Sequence, residues 1–161
     1  MHPESLGAGL VRTIETSFLI GSYLSPGRSH LCILHRPALI DIGNLQRRMK
    51  WERFDANALR FILKSVLTAL DFLHTKAKIV HCDVKADNIL CTSSVDGIYH
   101  LIAKKLAAQP AVMRIDKRDR RRIYKSVDLV DFVDEVSYDQ ILLGDFGEAE
   151  IEIEVGESKE W

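Results

Sequence analysis

No apolar run in the chain reaches the roughly 18 residues that a membrane-spanning helix requires. The opening Met1-His2-Pro3-Glu4-Ser5 has neither the basic flank nor the apolar stretch of a secretory leader. Cysteine is scarce and odd in number, with only Cys32, Cys82 and Cys91. That argues against a disulfide framework and for a reducing compartment. Neither Cys-x-x-Cys nor His-x-x-x-His spacing occurs, so the six histidines do not read as a structural zinc site. An excess of one charge is also missing. Lys and Arg number 22 against 23 Asp and Glu, a net charge of -1, which gives no global attraction to nucleic acid or an anionic membrane. What remains is 161 residues, 47% hydrophobic and 28% charged, the composition of one globular domain. The expectation is a soluble protein of the cell interior, cytoplasm and/or nucleus, with no membrane association and no specific nucleic-acid binding.

Patterning along the chain implies a mixed α+β organisation. Val11 to Ile20 and His30 to His35 read as two strands, joined by a turn carrying Ser25-Pro26-Gly27 and stopped by Arg36-Pro37. Asp41 to Met49 is weakly helical. From Asp55, a candidate N-cap, Leu59, Ile62, Leu63, Val66, Leu67, Leu70 and Leu73 recur at helical spacing as one apolar stripe. Ile79-Val80, Ile89-Leu90-Cys91 and Ile141-Leu142-Leu143 are short strands around a loop at His81 to Asn88. Residues 92–140 form a long interruption. Ile98 to Met113 reads as helix until Pro110. Arg114 to Lys125 carries seven basic side chains against two acidic, and Ser126 to Asp139 carries five acidic and none basic. The basic run reads as a solvated, mobile segment with the acidic block as its internal partner. Asp128, Asp131 and Asp134 with Leu129, Val130, Phe132, Val133 and Val136 fit a small amphipathic helix. The Glu-rich end alternates with Ile151, Ile153 and Val155, as an edge strand guarded by charge does.

One constellation carries chemistry. His81-Cys82-Asp83-Val84-Lys85-Ala86-Asp87-Asn88 is followed, after the interruption, by Asp145-Phe146-Gly147. Phosphoryl transfer asks a protein for positioning and charge cancellation rather than covalent chemistry. Asp83 can accept the proton of an incoming hydroxyl, and Lys85 can place a positive charge on the transferring group. Asn88 and Asp145 are oxygen ligands of the kind Mg²⁺ prefers. His, Asp, Lys and Asn at this spacing arise by chance in about one chain in a thousand of this length. Asp-Phe-Gly alone is weak; in this order, after an apolar strand, it adds to the signal. His81 reads as a buried histidine bracing the loop.

These residues resemble the catalytic loop and metal-binding triplet of eukaryotic-type protein kinases. Lys85 is similar to the lysine of the serine/threonine branch. The resemblance implies a partial protein-kinase-like α+β fold, the end of a small lobe followed by the first half of a large lobe. Residues 1–40 would be small-lobe strands and hinge, and 41–91 large-lobe helices and catalytic loop. Residues 92–140 would be an insert, and 141–161 the triplet and the start of an activation segment. It further implies Asp83 and Lys85 as catalytic residues, Asn88 and Asp145 as Mg²⁺ ligands, and ATP as cofactor. Leu34, His35 and Arg36 would hold adenine at the hinge, with Leu90 beneath it. A narrower resemblance, to SR-protein-kinase-like enzymes and fungal ones especially, rests on three features. They are the insert with Arg120-Arg121-Arg122-Ile123-Tyr124, the run Leu143-Gly144-Asp145-Phe146-Gly147-Glu148-Ala149, and Cys82 where an arginine is common. It implies a protein substrate of Arg/Ser-rich type and activity independent of activation-loop phosphorylation.

The departures are equally specific. Within these residues no Gly-rich loop precedes Val11, no Val-Ala-Ile-Lys-type strand occurs, and no Ala-Pro-Glu-type motif follows Gly147. The pattern is that of a kinase domain truncated at both ends, inactive as 161 residues alone and marginally stable. The alternative function is a kinase-derived, non-catalytic binding module.

Overall fold

Helix α2 (Ala56–Phe72) is the element the sequence specifies most fully. The computed structural model describes residues 6–21, 27, 29–93, 97–108, 112–118, 120, 122–125 and 139–151. In it, Ala56–Phe72 is a 17-residue helix begun by Asp55, whose carboxylate accepts from the backbone N–H of Asn57 and Ala58. That satisfies two of the donors a helix start leaves open. A wider π-type turn, Leu73–Ala77, follows, and Lys78 ends it in the left-handed region at φ 56°, donating its N–H to Leu73 O.

The chain divides into two compact units. One comprises Met1–Arg12, Asp41–Leu90 and Ile141–Trp161; the other comprises Thr13–Ile40 and Cys91–Gln140. In the first, α1 (Ile42–Arg48) starts at Asp41, whose carboxylate accepts from both the backbone and the side chain of Asn44. After α2 come β4 (Ile79–Val80), β5 (Ile89–Thr92), β8 (Gln140–Leu143) and β9 (Glu150–Ile151), of which Cys91, Thr92 and Gln140 fall within the bounds of the second unit. β5 lies between β3 (Ile40–Asp41) and β8 in a three-stranded sheet, and β4 pairs antiparallel with β9. The core is built on Ala69, Leu73 and Leu143, with Leu10, Val11, Ile79, Ile89 and Phe146 packed against it. Gly7 stands against α2 so closely that an added Cβ would meet Phe72 Cβ and come within 2.5 Å of Thr68 O.

The second unit holds β1 (Ile14–Gly21) and β2 (Ser29–His35), an antiparallel pair with Phe18 opposite Cys32 and a register shift between Ile14 and Thr16. It also holds α3 (Gly97–Ala108) and a second hairpin, β6 (Met113–Ile115) with β7 (Arg122–Tyr124). Tyr99 of α3 donates its hydroxyl to Glu15 on β1 at 3.1 Å. Thr92 Oγ1 donates to Pro37 O at 3.0 Å.

Several expectations change. The first strand starts at Ile14, because Val11 instead makes a parallel bridge with Leu143 and Arg12 donates its N–H to Leu143 O. The α2 stripe splits. Ile62, Val66, Ala69 and Leu73 are buried, whereas Leu59, Leu63 and Leu67 lie on an adjoining exposed face, Leu67 at 64%. The helix of the interruption, expected to run until Pro110, is described over Gly97–Ala108, in agreement with that expectation. The basic run is not structureless over its described residues: it forms β6, a turn and β7. The amphipathic segment expected around 128–136 lies outside the described residues, as does the acidic end beyond Ile151.

Candidate active site

The loop after β4 is set by one buried side chain. His81 is 1% exposed, and its Nε2 lies 2.9 Å from Gly144 O. Its Nδ1 accepts from the backbone N–H of Asp83 at 3.3 Å. A ring nitrogen that accepts there leaves Nε2 to carry the proton, so Nε2–H donates to Gly144 O. The imidazole also packs on Phe146 with centroids 4.8 Å apart and planes tilted by 55°. Cys82 is exposed in the left-handed region at φ 62°, and Asp145 sits there at φ 61°. Two non-glycine residues in that region, one on each piece of the site, are a local strain that surrounding contacts must hold.

Asp83, Lys85 and Asn88 converge. Lys85 Nζ lies 2.5 Å from Asp83 Oδ2. Asn88, buried, donates through Nδ2 to the same Oδ2 and to Asp83 O, each at 2.9 Å. Both donors use Oδ2, so Oδ1 of Asp83 takes no hydrogen bond from a described residue. The Asp83 carboxyl is held below the usual carboxylate range, first by the hydrogen bond from Lys85, which outweighs the opposing desolvation, and further by the lesser bond from Asn88. The Lys85 ammonium is pushed above the usual lysine value by that bond, then by the fields of Asp83, Asp145 and Asp87.

Asp145 is carried to this cluster by the residue before it. Gly144 donates its N–H to Asn88 O at 3.0 Å while its carbonyl takes the His81 bond. Gly144 is closely surrounded: an added Cβ would stand 3.2 Å from both Arg12 Cδ and Leu90 Cδ1, so those side chains would have to give by a few tenths of an ångström. The Asp145 carboxylate is exposed, with one long bond from Gly147 N–H at 3.4 Å. The only buried side-chain N or O atom lacking a partner among the described residues is Arg12 Nε. Asn88 Oδ1 likewise accepts no hydrogen bond from a described residue. An amide oxygen and a carboxylate, both uncommitted, suit Mg²⁺, which takes few protein oxygens and completes its shell with water and phosphate. Among the described residues no group of three or more His, Cys, Asp or Glu could hold a metal ion.

Four candidates remain. Leu90 is half-buried in the first unit. Leu34, His35 and Arg36 belong to the second. There His35 Nδ1 lies 2.9 Å from Thr13 O and Arg36 Nε lies 3.9 Å from Glu15 Oε1. The sequence reading missed Gly144 and the bridge from Val11 and Arg12. The Gly-Asp pair was a visible signal for the first, whereas nothing local marked the second.

A family model described as the protein kinase domain matches residues 20–107. A serine/threonine protein kinase of Aspergillus fumigatus is 29% identical over 150 residues, covering 93% of this chain and 33% of that protein. Dual specificity tyrosine-phosphorylation-regulated kinase 3 of Homo sapiens is 40% identical over 63 residues, 39% of this chain and 10% of that protein. The serine/threonine-protein kinase SRPK of Physarum polycephalum is 30% identical over 74 residues, 45% of this chain and 17% of that protein. A crystal structure of a kinase domain superposes with a TM-score of 0.52 at 17% identity, covering 92% of this chain and 36% of that one. The chain thus spans about a third of the length of the Aspergillus relative. No helix among the described residues is long and apolar enough to cross a membrane.

Proposed function

Because this chain belongs to the protein kinase domain family, we propose that it carries the phosphoryl-transfer centre of a serine/threonine kinase using ATP and Mg²⁺. The observation that carries the reading is the convergence of Lys85 and Asn88 on one Asp83 oxygen, with Asp145 tied to Asn88 through Gly144. Asp83 stays anionic through the neutral range, and its uncommitted Oδ1 accepts the hydrogen of an incoming serine or threonine hydroxyl, orienting that oxygen. Lys85 donates one N–H to Asp83 and has two more for the oxygens of the transferring phosphoryl group. Asn88 Oδ1 and Asp145 would hold Mg²⁺, which supplies charge cancellation on the phosphates when bound. His81 moves no proton; it fixes the loop relative to the triplet. Leu34, His35, Arg36 and Leu90 serve the adenine. Similarity to the Physarum kinase supports an SR-protein-kinase-like assignment, an Arg/Ser-rich protein substrate and a place inside the cell.

The test replaces the matching segment of the Aspergillus relative with residues 14–151 of this chain. The chimera should phosphorylate an Arg/Ser-rich peptide and lose that activity with Asp83→Ala. The 161 residues alone, which contain no Gly-rich loop and no Val-Ala-Ile-Lys-type lysine, should give no transfer above their own Asp83→Ala control. A folded but inactive chimera would favour the second reading, a kinase-derived binding module.

A further inference from the structure

The interruption carries a built surface that phosphoryl transfer does not use. Its hairpin is specified locally. Asp116 O accepts from Arg120 N–H at 2.9 Å, and Asp116 Oδ1 accepts from Arg118 N–H at 2.9 Å. Arg120 turns the chain back in the left-handed region at φ 58°. Arg114 pairs with Ile123, and Lys125 donates its N–H to Val112 O. Residues two apart on a strand share a face, as do residues opposite one another across the pair. Val112, Arg114, Ile123 and Lys125 therefore lie on one face, the two aliphatic side chains on one diagonal and the two cations on the other. With Tyr124 they line a cavity of about 290 Å³. That is at the small end of ligand pockets and suits one bulky side chain.

Around the cavity the hairpin is strongly one-signed. Arg114, Lys117, Arg118, Arg120, Arg122 and Lys125 are all exposed, and none has an ion-pair partner among the described residues. Asp116 is already engaged by the turn. Val112 is 72% exposed and Ile115 56%. No third strand among the described residues pairs with either edge of this sheet. Among the described residues, strand edges without a third partner, aliphatic side chains and cations thus occur together.

We propose that this face docks an extended acidic segment of a partner protein. One bulky apolar side chain of the segment enters between Val112 and Ile123, and carboxylates on either side reach Arg114 and Lys125. The segment adds along an open strand edge, where backbone hydrogen bonds supply affinity and the cavity supplies selectivity. A nucleic acid would satisfy the cations but neither the strand edge nor the aliphatic floor, and Tyr124 alone is a poor stacking platform.

The test is fluorescence anisotropy of a labelled decapeptide of alternating glutamate and leucine, titrated with the 161-residue chain. Binding should weaken by about tenfold or more in the double variant Arg114→Glu/Lys125→Glu, whose altered side chains are exposed and removed from the turn. It should also weaken with Val112→Ser, and a glutamate–serine decapeptide should bind far less well. The proposal fails if the glutamate–leucine peptide does not bind, or if the double variant binds it equally. It fails too if the serine peptide matches it, or if a uridine decanucleotide binds more tightly.

Discussion

Replacing His81 by phenylalanine isolates the bond that joins the loop to the triplet. Phenylalanine keeps a ring against Phe146 but removes both nitrogens. Asp83 N–H would keep a partner, since it also donates to His81 O at 2.9 Å. Gly144 O would not, because His81 Nε2 is its donor and Gly144 is buried. One orphaned buried carbonyl costs about 1–3 kcal/mol. His81→Ala adds the loss of a fully buried ring, and by analogy with aromatic truncations should cost about 3–5 kcal/mol. In a chain of marginal stability the first variant should be the milder of the two and the second severely weakened. Urea unfolding reads both. With a slope of about 2 kcal/mol/M, His81→Phe should lower the midpoint by about 1 M without changing the slope. If its midpoint stays within about 0.2 M of the wild type, the His81–Gly144 bond does not hold the site together.

The other predictions draw on separate contacts. Asp55→Ala removes the acceptor of two helix-start donors and should cost about 1 kcal/mol by the same unfolding assay; no change would mean that α2 is not capped there. Gly7→Ala brings a methyl group against Phe72 and Thr68 O and should cost about 1–3 kcal/mol; a neutral result would show that the Gly7–Leu10 turn is not seated on α2. In Lys85→Met the largest cause of the lowered Asp83 value is gone, so the carboxyl carbon resonance of Asp83 should titrate at higher pH than in the wild type. The sign follows from the shifts. Asp83 contributes stability that is present above the unfolded carboxylate value and lost as pH falls through the lower folded one. Lys85 contributes stability that is present below the unfolded lysine value and lost as pH rises through the higher folded one. Between pH 5 and 8 neither group should titrate, and a midpoint for either in that window would refute the pairing.

The parts of the fold legible in the sequence were those fixed by local chemistry. Asp55 announces α2 because an N-cap acts on its own next three residues, and the loop residues Asp83, Lys85 and Asn88 meet because they lie within six positions. Asp145, far along the chain, was legible only by its motif. The contact between Val11 and Leu143 was not, since an isolated parallel bridge leaves no periodic trace. Leu59, Leu63 and Leu67 continue the same apolar period as Ile62, Val66 and Leu73, so spacing alone could not separate an exposed ridge from a buried one. The hairpin at Met113–Ile115 and Arg122–Tyr124 was hidden by composition. Its charge suggested solvation, whereas Asp116 and the left-handed Arg120 make the turn.

The central claim is that the His81–Asn88 loop and Asp145 form one magnesium-phosphate site. Paramagnetic broadening of amide resonances by Mn²⁺ tests it most directly, because it reports weak binding residue by residue. Broadening should centre on Asp83, Asn88 and Asp145 at the lowest Mn²⁺ concentrations, and should disappear from Asn88 in Asp145→Ala. Sharp Asn88 and Asp83 resonances beside broadened Glu148 and Glu150, unchanged in the variant, would contradict it.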